Sequence, residues 1–416
     1  MKECSTPIRL QREKVYQKIE YFWPDLYGSE YALLDIKILS KKSIETIQKA
    51  TNRVGRIFFK TAKLLRKADN DTLRQLDIPA EMLPYIRHKA LPVESIIARC
   101  DFVQTDDGIK LLELNADTPT FIKEVFHVNQ YIADYFQVSN PNQGLDRCLA
   151  RSISKAIVES SIKLGLSEPY IVFTSHDDHM EDKYTTLYLR DIIHLPAKYV
   201  PLHELKIVQG EGLFDPEGRK IDILYRQTYP LEHLILDEDP ETKEKVGLQL
   251  LQLVLKRKLA IINPISAFLI QSKAVQAVIW GLYERQHSFF NEEERNWIRS
   301  YFLPTYLDED FFIKNGVPFV KKPAFGREGD TVEIFIGRKK VMEDPHKTYA
   351  DSLPIFQQYV ELPSCKIQTV TGEKMAKYII GSFLINGKAC GIGIRAGGQI
   401  TDNAAYYLPV GVRQQQ

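Results

Sequence analysis

The stretch that most constrains this chain runs from Arg99-Cys100-Asp101-Phe102 through Asp106-Asp107-Gly108 to Leu112-Glu113-Leu114-Asn115-Ala116-Asp117. It reads as two short strands about a tight turn. With Asp106-Asp107-Gly108 as a three-residue turn and Gly108 left-handed, Thr105 pairs with Ile109. Asp101 then faces Glu113, and Arg99 faces Asn115. Side chains alternate along a strand, so all four share one face. Cys100, Phe102, Leu112 and Leu114 take the other face and are expected in a core. Two carboxylates, a carboxamide and an arginine make a hard-oxygen donor set suited to Mg²⁺, an ion that commonly arrives with nucleotide phosphates. The plainer alternative is a half-exposed hairpin whose polar face meets water. A two-residue turn at Asp107-Gly108 would shift the register and scatter the four residues.

Bulk properties narrow the class. The 416 residues exceed the ~250–300 at which a single core stops growing, so two or three subdomains are expected. Lys+Arg is 55 and Asp+Glu is 54, which excludes nucleic-acid binding by a broadly basic surface and leaves room for a local basic pocket. Cysteines 4, 100, 148, 365 and 390 form no Cys-x-x-Cys pair, so reduced thiols and no structural zinc are expected. Met1-Lys2-Glu3 opens a polar segment, and no apolar run approaches the ~20 residues of a membrane span. The expectation is a soluble cytoplasmic protein that binds neither nucleic acid nor membrane.

Periodicity divides the chain further. Residues 1–98 read as mainly helical, with helical spacing over Ile8–Tyr21 and Ile44–Leu65. Residues 99–140 hold the hairpin and a helical pattern over Phe121–Phe136. Residues 141–265 alternate strand and helix and predict a small α/β layer. Residues 266–350 carry a helix from Lys273 to Glu284 and a strand-loop-strand at 318–336. Residues 351–416 contain a long hairpin turning at Asn386-Gly387, a strong turn signal between alternating runs. No internal repeat is present.

Three further segments could carry chemistry. Pro323-Ala324-Phe325-Gly326-Arg327-Glu328-Gly329-Asp330 follows Lys322. Its glycines would let backbone N–H groups approach a phosphate, with Lys322 and Arg327 adding charge. It is not a Walker A loop, because the lysine precedes the glycines; an ordinary hairpin is the alternative. Gly391-Ile392-Gly393-Ile394-Arg395 allows close approach of a ligand or simply tight sheet packing. His176, Asp177, Asp178, His179, Glu181 and Asp182 form a run that reads as a solvated loop or helix start rather than a metal cluster.

Taken together, Arg99-x-Asp101-Phe102, Leu111-Leu112-Glu113-Leu114-Asn115-Ala116-Asp117-Thr118-Pro119-Thr120, Lys322-Pro323-x-x-Gly326-Arg327-Glu328-Gly329, Phe356 to Pro363 and Gly391 to Arg395 resemble the glutathionylspermidine synthase-type ATP-grasp ligases, in the family's order. The resemblance implies an α/β (α+β), ATP-grasp-like fold: a central antiparallel sheet, an inserted small α/β substrate layer at 141–265 and a nucleotide-covering lid at 266–350. It implies ATP-dependent joining of a carboxylate to an amine, with Mg²⁺, as two ions, on Asp101, Glu113 and Asn115. Arg99 and Arg395 match catalytic arginines, and Lys273 and Lys322 match lysines on the ATP phosphates. Arg327 and Glu328 match glycine-loop positions, and Gln357, Gln358, Tyr359 and Val360 match the segment along the adenine. Ile400 and Thr401 lie near a further nucleotide contact, and Thr118 and Thr120 near the thiol-peptide substrate. The partners implied are a peptide-like acid and a polyamine-like amine; the oligomeric state stays open, a dimer among the options. The chain resembles a ligase-only member, since no amidase signature precedes Arg99, and it has Ala396-Gly397-Gly398 where many relatives carry an acidic residue.

The mechanism implied is attack of the acid's carboxylate on the ATP γ-phosphate, release of ADP, and displacement of phosphate from the acyl phosphate by the amine. Two rival classes stay in view. One is a nucleotide-binding sensor or scaffold without turnover. The other is a two-carboxylate hydrolase using Asp101 and Glu113, which leaves the Lys322 loop unexplained.

Overall fold

A computed structural model describes residues 7–413; Cys4 lies outside them. Six antiparallel strands form the central sheet. In spatial order these are Tyr406–Leu408, Lys388–Gly397, Gly372–Ile385, Ile97–Thr105 and Gly108–Asn115, with Ser364–Thr369 pairing the first half of Gly372–Ile385. The Asn386-Gly387 turn joins its two longest strands. Both residues have positive φ (48° and 78°), the pairing of signs that a tight hairpin between right-twisted strands requires.

The register of the 97–115 hairpin comes out as expected at the residues that matter, by a different route. Thr105 pairs with Gly108 across a two-residue Asp106-Asp107 turn, not with Ile109. That turn alone would flip every side chain beyond it. A bulge opposite Asp101/Phe102 inserts one extra residue, Leu112, and restores the pairs Asp101↔Glu113 and Arg99↔Asn115. The same bulge moves Leu112 from the expected core face to the site face. Ile109, Leu111 and Leu114 join Cys100 and Phe102 in the main core instead.

Different segments pack on the two faces of the central sheet. The Lys41–Leu65 helix, capped by the Ser40 side chain accepting from Ser43 N, lays Ala50, Val54, Ile57 and Phe58 on one face. Thr51 and Ser382 hydroxyls bond across this contact at 2.7 Å. Its expected companion over Ile8–Tyr21 is shorter, Pro7–Tyr16, and the chain turns at Tyr21 with φ 53°. On the other face, residues 121–128 press against Gly391 and Gly393. A Cβ on Gly393 would lie 2.4 Å from the Phe121 ring and 2.6 Å from Val125. The small residues of that strand therefore serve close packing, and the helix expected from Phe121 opens with a π-helical turn at Glu124–Val128.

Two smaller sheets flank this core. Ala260–Ile262, Ile223–Gln227, Ile171–Ser175 and Ala197–Tyr199 form a parallel sheet. Helices Asp146–Leu164 and Met180–Ile192 pack with it, as strand-helix alternation predicts. A buried Arg226–Asp117 ion pair (2.5 Å), with Leu231 N donating to the other Asp117 oxygen (2.9 Å), locks this sheet to the end of the hairpin. The third sheet is antiparallel, in the order Thr305–Tyr306, Pro354–Gln358, Phe319–Pro323, Glu333–Ile336, Lys339–Glu343. Phe312, Phe319 and Phe356 cluster beneath it. Among the described residues, no single helix is long and apolar enough to cross a membrane.

Candidate active site

Two adjoining cavities open where the three sheets meet, and Glu113, Arg327, Glu328 and Arg395 line both. The first lies between the central and third sheets. Val320 and Ile334 form one apolar wall, and Leu112, Leu362 and Ile379 the other. None of these five was read from the sequence as lining a ligand slot, and Leu112 was expected in the core, since single apolar residues on strands carry no signal of a slot. Gln357, Gln358, Tyr359 and Val360 close one end, and Ile400 and Thr401 another.

Lys273 and Lys322 meet at the polar end. Lys273 donates to the Gly326 carbonyl (2.7 Å) and lies 3.3 Å from Glu113 Oε2. Lys322 donates to the Leu112 carbonyl and to Gln357 Oε1, both at 2.9 Å. Gln357, expected along a base, thus turns its side chain to the Lys322 ammonium and is held by Gln276 and Thr305. Burial lowers Lys322 to about 8 despite the facing Glu113. Burial works against ionisation of Glu113, but Lys273 and Lys322 overcome it and bring the carboxyl down to about 2.

The hairpin face lies at the boundary of the two cavities. Arg99 holds Asp101 with a fork, Nε to Oδ1 at 2.7 Å and Nη2 to Oδ2 at 2.9 Å, and gives Nη1 to the Thr120 carbonyl at 2.9 Å. Gly381, opposite Asp101, leaves the space that the Arg99 side chain fills. The Asn115 amide nitrogen donates to Asp101 Oδ2 (3.2 Å) and Glu113 Oε1 (3.3 Å). Oxygens of two carboxylates therefore converge on one neutral amide donor. With Asn115 Oδ1 turned inward, the three residues are a hard-oxygen set, so the donors fit a Mg²⁺ ion. Among the described residues, no group of three or more His, Cys, Asp or Glu forms a metal cluster; the fit depends on counting Asn115.

The second cavity extends to the start of the Met180–Ile192 helix, where Glu181 lines it. Thr118 and Thr120 line it beside Arg99, Asn115 and Pro119. Arg327 donates to Thr118 Oγ1 (2.6 Å) and to its carbonyl (3.2 Å). Glu328 accepts from the Asn403 side chain, and Gly329 rests on Ile400 and Thr401, where a Cβ would meet Ile400 Cγ2 at 2.7 Å. The glycine loop is thus docked across the site rather than forming a plain hairpin end. Arg395 gives Nη2 to the Asp402 carbonyl (2.9 Å) and has no carboxylate partner among the described residues. The 176–183 run contains a helix start, as read, since the Met180–Ile192 helix begins within it, but it is not wholly solvated. His179 and Asp182 pair at 3.1 Å, while Glu181 turns into the cavity. The sequence signalled Glu181 only as one member of an acidic run.

The architecture is that of the ATP-grasp proteins, three sheets around a shared cleft. The chain belongs to the glutathionylspermidine synthase preATP-grasp family, which matches residues 3–413. It is similar to a putative acid–amine ligase of Haemophilus influenzae, 23% identical over 94% of this chain and 90% of that protein. It is also 22% identical, over 78% of its length, to the bifunctional glutathionylspermidine synthetase/amidase of Escherichia coli, covering 52% of that protein. In structure it resembles a glutathione synthetase-like effector from Globodera pallida, with a TM-score of 0.60, 13% identity and coverage of 97% and 96% of the two chains. Family and relatives together support a C–N ligase acting on a carboxylate and an amine.

Proposed function

We propose that this chain is an ATP-dependent carboxylate–amine ligase that works through an acyl phosphate, releasing ADP and phosphate. The carrying observation is the meeting of Lys273, Lys322, Arg99 and Arg395 with the hard-oxygen hairpin face at the junction of an apolar slot and a polar cavity. The slot suits a base, the lysines suit phosphates, and the second cavity suits an acid and an amine, as in glutathionylspermidine formation.

In this reading Lys273 and Lys322 exchange their present carbonyl and carboxylate partners for phosphate oxygens. Asp101, Glu113 and Asn115 would hold Mg²⁺, which when bound offsets phosphate charge. The acid's carboxylate attacks the γ-phosphorus in line, where positioning and charge neutralisation do most of the work. Arg395, lacking a carboxylate partner, is free to meet the transferring group and then the tetrahedral oxyanion. Arg99, fixed by Asp101 and Thr120, orients the acid. The docked glycine loop excludes water that would hydrolyse the acyl phosphate. The hydrolase alternative is disfavoured, because it leaves Lys273, Lys322 and the apolar slot beside them without a role.

Calorimetric titration of Mg-ATP onto the wild type and Asp101→Ala tests this. Micromolar binding should weaken about tenfold or more in the variant, and acid–amine pairs should then drive ADP release. No binding to the folded wild type would refute the reading. Binding without ADP release from any pair would leave a nucleotide sensor.

A further inference from the structure

The substrate-side cavity contains a carboxylate that the scheme above does not use. Glu181 sits in the first turn of the Met180–Ile192 helix and lines the cavity with Asn115, Thr118 and Thr120. Among the described residues its carboxylate has no hydrogen-bond or ion-pair partner. The neighbouring charge that acts on it most strongly is Glu124, which is fully buried. Glu124 Oε1 accepts from the Tyr31 hydroxyl at 2.6 Å, and its Oε2 meets no donor. Glu124 opens the π-helical turn, three residues after Phe121 with its φ of 76°. Departures of this kind concentrate at functional sites.

The other charged and titratable groups around Glu181 are engaged or opposite in sign. Asp182 pairs with His179. Glu328 is held by Asn403, and Arg395 and Arg99 face the cavity from the central sheet. Tyr27 lines the cavity near His179 Nε2, and Tyr31 is committed to Glu124. Glu113, which also lines the cavity, pairs with Lys273, and Arg327, opposite in sign, donates to Thr118.

A ligase needs its amine uncharged at the moment of attack, and an alkyl ammonium with a pKa of about 10 arrives protonated. We propose that Glu181 is the base that takes this proton, with Glu124 as the positioning residue that keeps it receptive; this rests on the ligase reading. An ammonium N–H proton passes to the Glu181 carboxylate. The freed nitrogen lone pair attacks the acyl carbon and forms the C–N bond. The C–O bond to phosphate breaks, and the departing phosphate carries off the second nitrogen proton. Burial, then the charges of Glu124 and Asp182, raise Glu181 to about 8. That narrows the difference in pKa from the ammonium from about 6 to about 2, so transfer is far less uphill than to an ordinary carboxylate.

The test compares two nucleophiles in Glu181→Gln. One reaction joins glutathione to spermidine with ATP. The other traps the same acyl phosphate as a hydroxamate with hydroxylamine, which is largely uncharged at neutral pH. The loss should be about 10²-fold or more with spermidine and much smaller with hydroxylamine. Glu124→Gln, which keeps an acceptor for Tyr31, should move the acid limb of the spermidine pH–rate profile to lower pH. Independently of turnover, the folded chain holds a proton on Glu181 that the unfolded chain has released. Its contribution to the thermal midpoint is therefore full at about pH 4 and declines toward about pH 8, and Glu181→Gln should flatten that decline. Equal losses with both nucleophiles, or a pH slope that Glu181→Gln leaves unchanged, would overturn the assignment. A wild type forming no hydroxamate would instead count against the ligase reading, while the slope still reports on Glu181.

Discussion

The two cavities meet at one hairpin but are built on opposite electrostatic plans. On the nucleotide side, burial pushes Lys322 down to about 8; on the substrate side, burial and like charges push Glu181 up to about 8. Each group titrates near pH 8, so at neutral pH Lys322 is mostly an ammonium ready for an anion while Glu181 is mostly protonated. The lesson is that one cleft can be prepared for an anion and a cation at once if a rigid wall separates them. That wall is the row Arg99, Asp101, Glu113, Asn115, in which every charge already has a partner.

The comparison breaks most readily at Lys322. Lys322→Met should weaken Mg-ATP binding by about 10- to 100-fold, the weight of a charge-assisted hydrogen bond, while the KM of the acid stays within about twofold. Calorimetry and initial rates read the two effects. In the wild type the same lysine should make Mg-ATP affinity fall as pH rises through about 8, because the ammonium that attracts phosphate is lost there; Lys322→Met should remove that fall.

A packing change probes the wall without touching a charge. Gly393→Ala places a methyl 2.4 Å from the Phe121 ring, next to Thr120, and should cost about 1–3 kcal/mol in a denaturant titration. Because Phe121 leads into the π-helical turn, substrate-side kinetics should suffer more than Mg-ATP binding. Equal damage to both would show that the wall is not rigid.

The smallest expected effect is at Thr118→Val, which removes the hydroxyl that accepts from Arg327 at 2.6 Å. A loss of about 1 kcal/mol should raise the KM of the acid several-fold and leave Mg-ATP affinity alone. An unchanged KM would place the acid away from Thr118.

The nucleotide side was the more legible from sequence because its parts are local. A strand, a glycine loop and a returning strand announce themselves in one window, and hairpin alternation set Asp101 against Glu113. The substrate side was less legible because it is assembled from distant segments. Glu181, Glu124 and Tyr31 lie on three elements far apart in the chain, and no spacing rule connects them. Even the hairpin was read correctly through a compensating pair of differences, a shorter turn and a bulge at Leu112. Turn length and bulge position depend on what each side chain finds to pack against, and Leu112 finds the slot beside Leu362 and Ile379.

What the sequence determined by itself is therefore the long central strands, the shared face of the four polar hairpin residues, and the family, since alternation and motif order are properties of the chain; the short strands Ser364–Thr369, Tyr406–Leu408 and Ala260–Ile262 carried no such signal. Tertiary structure alone decided which charges keep partners and which are left for ligands. Asp101 is neutralised by Arg99 and Asp117 by Arg226, while among the described residues Arg395 and Glu181 have no ion-pair partner. Pairing depends on distance and burial, and these exist only once the three sheets have closed on one another.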